Sequence, residues 1–93
     1  MRRAARVDEN QAEIVAALRE IPGVTVRSLA AVGDGFPDIS VGYRTVNYFF
    51  EIKNPSKPKR DRRLKPKQKK FREEWTGQVH IAETIKDIID VIA

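Results

Sequence analysis

Residues 35–53 read GFPDISVGYRTVNYFFEIK, and this stretch predicts the centre of the fold. Two short runs of β-branched and aromatic residues flank a few turn residues, which is the pattern of a β-hairpin. Side chains alternate between the two faces of a strand, so Glu51 and Lys53 share one face and Ile52 points to the other. Asp38 lies across from Glu51 if the hairpin is in register. The stretch therefore predicts two carboxylates and one ammonium group at a sheet edge.

Two carboxylates beside a lysine form a pattern that is typical of a metal site. Two carboxylates a few ångströms apart repel each other unless a cation lies between them or one keeps its proton. Mg²⁺ prefers oxygen ligands and usually takes one or two carboxylates, with water and phosphate completing its shell. A neighbouring lysine can orient the attacking water or stabilise developing charge, so the set suits metal-assisted phosphodiester hydrolysis. The alternative interpretation is a Pro-Asp turn followed by an ordinary surface Glu/Lys pair on an edge strand.

Composition restricts the class of protein. A chain of 93 residues is the size of one small domain, and 41% hydrophobic with 33% charged residues is typical of a globular chain. The absence of cysteine and the single histidine exclude a disulfide framework, a thiolate metal site and a histidine-cluster zinc site. No apolar run is long enough to span a bilayer, and no signal-peptide core follows the basic residues 1–3. We expect a cytoplasmic protein with no membrane partner.

The positive charge is concentrated in residues 57–72, where ten basic residues and one aspartate give a net charge of +9 and leave −4 for the rest of the chain. Such a segment attracts polyanions, and nucleic acid is the favoured one because lysine and arginine neutralise its phosphates. The alternative is a solvated basic loop that only maintains solubility. The predicted phosphate contacts are Lys57, Lys59, Arg60, Arg62, Arg63, Lys65, Lys67, Lys69 and Lys70.

Hydrophobic periodicity predicts an α/β fold in the order α-β-β-β-α-β-α, with a mixed four-stranded sheet flanked by helices. Adjacent Phe49 and Phe50 lie on opposite faces of their strand, which predicts that this strand is central. Three prolines between residues 54 and 66 predict a mobile basic loop without regular structure. Besides the hairpin, the predicted elements are helices over about 9–21, 67–75 and 85–92 and strands over 24–30 and 78–82.

Two glutamines on the predicted helices are further candidates for the site. Gln11 is the polar member of the apolar stripe of the first helix, and Gln68 lies on the inward stripe of the second. Either glutamine could reach the carboxylates. The alternatives are that Gln11 only caps the start of its helix in a capping box with Asp8 and that Gln68 is an ordinary surface amide. By helical spacing, Glu9 and Glu13 point elsewhere. Trp75 is expected to be a core anchor rather than a base-stacking platform.

The sequence also resembles a known family of proteins. The order G-x-G-x-P-D, E-I-K and then a helix with an early Gln is similar to the PD-(D/E)xK nuclease superfamily. More narrowly, it resembles a stand-alone VRR-NUC domain of the phage and prophage type over about residues 8–92. The resemblance is carried by Gly35, Pro37-Asp38, Glu51-Ile52-Lys53 and Gln68.

This resemblance implies a restriction-endonuclease-like fold and a homodimer that cuts branched DNA such as four-way junctions. It further implies that Asp38, Glu51 and the backbone carbonyl of Ile52 bind Mg²⁺ or Mn²⁺ and that Lys53 assists the attacking water. Many members of the family place a glutamate on the first helix, where this chain has Gln11. That departure leaves the number of metal ions open.

Three hypotheses follow from the sequence. The first is a Mg²⁺- or Mn²⁺-dependent DNA endonuclease that uses Asp38, Glu51 and Lys53, supported by Gln68 and Gln11. The second is a catalytically silent nucleic-acid-binding module that keeps the nuclease fold. The third is a protein-interaction domain whose basic loop meets an acidic partner.

Overall fold

A mixed four-stranded sheet with three α-helices around it forms the fold in the computed structural model, which describes residues 9–93. The strand order is β1-β2-β3-β4; the first two pairings are antiparallel and β3 pairs with β4 in parallel. The elements are α1 (Glu9–Arg19), β1 (Thr25–Ser28), β2 (Ile39–Tyr43), β3 (Val46–Ile52), a 3₁₀ turn (Lys59–Arg62), α2 (Pro66–Glu74), β4 (Val79–Ala82) and α3 (Ile85–Ile92). The predicted α/β class, element order and internal position of β3 are confirmed.

The β2–β3 hairpin is closed by a two-residue turn. Arg44 and Thr45 both have positive φ angles, 52° and 67°, which match a turn whose twist fits the right-handed twist of the strands. Ile39 lies opposite Phe50 in the resulting register, and Asp38 extends the pairing through its N–H, which donates to the Phe50 carbonyl at 3.0 Å. Asp38 is thereby brought opposite the end of β3.

The hydrophobic core lies on the face of the sheet that carries Phe50. Helices α1 and α3 cover this face, and Leu18 and Ile88 are fully buried against the strands. Burying each such side chain contributes about 1.5–3 kcal/mol to folding. The packing fixes the end of β3 against the start of α1. The buried core residues are Ile14, Leu18, Val24, Val26, Ile39, Val41, Phe50, Ile52, Ala82, Ile88 and Ile92.

Helix α2 lies over the opposite face of the sheet through a small aromatic cluster, defined as Phe36, Phe49, Phe71 and Trp75. The Phe36 ring lies 5.3 Å from Phe49 and 5.0 Å from Phe71, and Trp75 lies 5.6 Å from Phe49, measured between ring centroids. Trp75 is 41% exposed, so the prediction of a core anchor is wrong. It follows the short polar helix α2 and stacks on Phe71 at 5.0 Å while part of its ring stays in contact with solvent.

Several element bounds differ from the prediction by one or two residues, and the first helix and the basic loop differ for clear physical reasons. Helix α1 ends at Arg19, because Glu20 and Ile21 donate to carbonyls only three residues earlier and tighten the chain before Pro22. The basic loop contains the 3₁₀ turn Lys59–Arg62, so the expectation that it lacks regular structure is wrong. Its prolines precede this turn and begin α2, where a missing N–H is tolerated.

The expected cap at Asp8 lies outside the described residues. Within residues 9–93, every helix is too short or too polar to cross a bilayer.

Candidate active site

Asp38 is held in place by the backbone of the strand beside it. Its Oδ2 accepts a hydrogen bond of 2.7 Å from the N–H of Ile52, and the preceding Pro37 is fully buried. These contacts leave the carboxylate little freedom to turn away from β3. The register therefore places Asp38 beside Glu51, as the hairpin pattern predicted.

Glu51 is the buried member of the carboxylate pair, with only 5% of its surface exposed. Burial, the neighbouring Asp38 charge and a hydrogen bond between the two carboxyl groups raise the pKa of Glu51 to about 8, although Lys53 and Lys65 act in the opposite direction. At neutral pH and without a metal, Glu51 keeps its proton. The two carboxyl groups therefore share a proton, and burial is the main reason that Glu51 resists ionisation.

Lys53 shares the face of Glu51, and a glutamine of α2 links the two. The Lys53 Nζ atom donates to Gln68 Oε1 at 3.0 Å and lies 3.8 Å from Glu51 Oε2. The Gln68 Nε2 atom donates to the same Glu51 oxygen at 2.9 Å, while Gln68 Oε1 also accepts from the Lys65 N–H at 2.9 Å. Both the oxygen and the nitrogen of the Gln68 amide form hydrogen bonds. Gln68 therefore points inward, as predicted, and links α2 to β3.

The start of α1 docks onto the same end of β3. Asn10 Nδ2 donates to the Lys53 carbonyl at 2.9 Å and to the Glu83 carbonyl at 3.4 Å, so Asn10 holds backbone rather than the carboxylates. Gln11 is 5% exposed and lines the cleft beside the carboxylates. Gln11 thus lies at the site as predicted, and the neighbouring Asn10 supports the backbone there.

These residues form one wall of a polar cleft of about 670 Å³. Glu9 lines it, although helical spacing predicted that this residue points elsewhere; Glu13 is exposed on α1 outside the lining. Glu9 is the first residue of α1, and it borders the cleft at that end of the helix. The lining residues are Glu9, Gln11, Asp38, Glu51, Ile52, Lys53, Asn54, Ser56, Lys57, Asp61, Lys65 and Gln68.

The donor set fits Mg²⁺ or Mn²⁺ with few protein ligands. Within residues 9–93, no group of three or more acidic, histidine or cysteine side chains is arranged to hold a metal. Asp38 and Glu51 are the neighbouring carboxylates that could hold one as a pair. Magnesium sites commonly use one or two carboxylates and leave the other positions to water and substrate phosphate. A divalent cation between the two carboxyl groups would favour the ionised form of Glu51, which burial and the Asp38 charge otherwise disfavour.

Comparison with protein-family models, with curated proteins and with solved structures finds no significant match. The assignment of a function therefore rests on the residues of the site and their geometry.

The basic residues have different surroundings. Lys57 and Lys65 line the cleft, and most of the others are exposed on the 3₁₀ turn and α2. Arg62 is half-buried, and its Nη1 atom donates to Glu83 Oε2 at 2.9 Å. Because this pair ties the 3₁₀ turn to the end of β4, we reassign Arg62 from the predicted phosphate contacts to the structural support of the loop.

Removing the Arg62 side chain should therefore affect stability more than DNA binding. We expect Arg62→Ala to lower the free energy of unfolding by about 1 kcal/mol, since the ion pair is partly shielded from water. Exposed Arg63 is the matched control, and Arg63→Ala should leave stability unchanged. Urea unfolding measures both variants, and equal stabilities would refute a structural role for Arg62.

The glycine loop before β2 positions the start of α2. Gly35 has a φ of +79°, and a Cβ there would overlap the backbone carbonyl of Lys67, one residue before Gln68. We expect Gly35→Ala to destabilise the fold by about 2–3 kcal/mol, from the unfavourable φ together with the overlap. Gly33→Ala has a similar φ of +70° but open space around the Cβ, so it should cost about 1 kcal/mol. Thermal unfolding compares the two; equal losses would mean that the packing against α2 is unimportant.

Proposed function

We propose that this chain is a metal-dependent DNA endonuclease with a restriction-endonuclease-like fold, similar to a stand-alone VRR-NUC domain. One observation carries the proposal: Asp38, Glu51, Lys53 and Gln68 form one connected group in a polar cleft. The segment that follows β3 supplies the net charge of +9 beside this group. Paired carboxylates with a buried lysine suit hydrolysis, and the basic segment suits a phosphate-rich substrate.

Asp38, Glu51 and the Ile52 carbonyl would hold Mg²⁺ or Mn²⁺. The bound ion would polarise a phosphoryl oxygen and lower the pKa of a coordinated water. The Lys53 ammonium would orient the attacking water or stabilise charge that develops on the phosphate. Gln68 would keep Lys53 and Glu51 in position, because its amide accepts a hydrogen bond from Lys53 and donates one to Glu51.

The substrate would be held by charge. Lys57 and Lys65 would bind the phosphates at the cleft, with the exposed basic residues of the 3₁₀ turn and α2 extending the contact. A homodimer with two-fold symmetry would present two such clefts to two strands of a branched DNA, such as a four-way junction.

The test is cleavage of a four-way junction, a flap and a plain duplex in Mg²⁺ or Mn²⁺. We expect Asp38→Asn to lower the rate by about 10²–10³-fold, because the variant loses a charged ligand. Asp34→Asn is the matched control, since Asp34 is 89% exposed on the neighbouring loop, and it should cut like the wild type. Equal cutting by wild type and Asp38→Asn would point to a contaminating nuclease and end the proposal.

A catalytically silent DNA-binding module is the second candidate, favoured by the neutral Gln11 at the buried position of α1. Glu9 in the lining of the cleft counts against it. Titration calorimetry separates the two: tight DNA binding without Mg²⁺ or Mn²⁺ binding would favour the silent module.

A further inference from the structure

A second groove of about 490 Å³ adjoins the cleft on the other side of Asp38. The loop of residues 29–36 forms one wall of this groove and the start of α2 forms the other. Asp38, Lys65 and Gln68 line both the groove and the cleft, so the two spaces lie side by side and share these residues. A nucleic-acid strand that crosses the shared residues can place a phosphate in the cleft and the adjacent nucleotide in the groove.

The groove differs from the cleft in chemistry. Leu29, Ala30 and Phe36 give it apolar walls, whereas the cleft is lined mainly by charged and amide side chains. Exposed Lys65 and Lys67 lie at its rim and add positive charge. The groove thus suits a ligand that combines an apolar, planar face with a negative group.

Paired DNA does not offer such a face, because the faces of its bases are stacked inside the duplex and mainly phosphates and sugars contact a protein surface. An unpaired nucleotide exposes its base, which can pack on aromatic and aliphatic side chains while lysines bind its phosphates. The volume of the groove falls within the range of about 300–1,000 Å³ that is usual for small-ligand pockets.

We propose that this groove binds an unpaired nucleotide of the DNA strand whose scissile phosphate lies in the cleft beside Asp38 and Glu51. The proposal rests on the endonuclease function and, among branched substrates, favours those with a single-stranded segment next to the cut, such as a flap, over a fully paired four-way junction. Phe36 and Leu29 contact the base, and Lys65 and Lys67 bind the flanking phosphates. A fully paired site has no base to place in the groove, so it binds more weakly.

Binding without divalent metal tests the groove separately from catalysis. Fluorescence anisotropy in EDTA compares a duplex that contains a short single-stranded gap with the same duplex fully paired. We expect the wild type to bind the gapped DNA about tenfold more tightly, the effect of packing one base. Ala30→Trp fills the groove and should remove this preference while leaving affinity for the paired duplex unchanged.

Val32→Trp is the matched control, because Val32 lies on the same loop but is exposed outside the groove. It should keep the preference for gapped DNA. If Ala30→Trp does not fold, as shown by its thermal unfolding, Leu29→Ser replaces it and should weaken binding to the gapped DNA alone.

Photo-crosslinking locates the base directly. With 5-iodouracil in the gap, we expect the cross-link at Phe36, identified by mass spectrometry. Equal affinity for gapped and paired DNA, or cross-links confined to residues 57–65, would show that the groove does not bind an unpaired nucleotide. Either result would leave the endonuclease proposal intact. If the wild type binds neither DNA, both proposals fail.

Discussion

Replacing Lys53 by methionine should lower the rate of metal-dependent DNA cleavage by about 10²–10³-fold, the loss expected when a donor to developing charge is removed. Lys53 is 8% exposed, and its ammonium group contacts Gln68 and lies near Glu51. Methionine keeps the length and apolar stem of the side chain but removes the charge. The expected defect is therefore chemical, with metal and DNA still bound.

The fold of Lys53→Met should survive because Glu51 needs no charged partner when it is protonated. The pKa of Glu51 is already raised to about 8, and loss of the lysine charge raises it further. We expect a change in the free energy of unfolding of about 1 kcal/mol or less. Removing one partner of a buried ion pair usually costs more, because the remaining charge is left without a partner. Lys86→Met on α3 is the control, since Lys86 is exposed and contacts Asp90. Single-turnover cleavage at saturating enzyme measures the defect, and a rate like that of the control would exclude a role for Lys53 in the chemical step.

The second large effect is a loss of stability as the pH rises when no divalent metal is present. Glu51 has a pKa of about 8 in the folded protein and 4.5 as its ordinary value, so between these pH values the folded state binds the proton and the unfolded state releases it. Stability contributed by this group is fully present below about pH 4.5 and is lost as the pH approaches 8. We expect a fall of about 2–4 kcal/mol across this interval.

Glu51→Gln is the matched variant, because it keeps the shape of the side chain and cannot ionise. Urea unfolding at pH 5 and pH 8 in EDTA should show a clear decrease for the wild type and a much smaller one for Glu51→Gln. Equal decreases for the two proteins would show that other groups cause the pH dependence.

Divalent metal should restore the stability that is lost at high pH. At pH 8, a concentration of Mg²⁺ or Mn²⁺ a hundredfold above its dissociation constant stabilises the fold by about 2.7 kcal/mol. The gain should be smaller at pH 5, where the metal must displace the Glu51 proton. Glu51→Gln should gain little at either pH.

The sequence was sufficient to predict the parts of the site that depend on local periodicity. Alternation along β2 and β3 predicted the register that brings Asp38 beside Glu51, and helical spacing placed Gln68 inward. These inferences succeed because hydrophobic alternation strongly constrains strand register, and a one-residue slip would bury the wrong face.

Other features depend on tertiary contacts that a linear pattern does not encode. Glu9 lines the cleft because α1 begins beside it, and Arg62 forms an ion pair with Glu83, which lies 21 residues later in the chain. Trp75 remains exposed because α2 covers only part of its face of the sheet. The apolar groove needs the loop of residues 29–36 and the start of α2 together, so neither segment alone predicts it.

The most direct test of the central claim is anomalous diffraction from a crystal of this protein soaked in Mn²⁺. We expect a strong peak between the carboxylates of Asp38 and Glu51, within bonding distance of the Ile52 carbonyl. A crystal without a peak at that position, or with manganese bound only elsewhere, would contradict it.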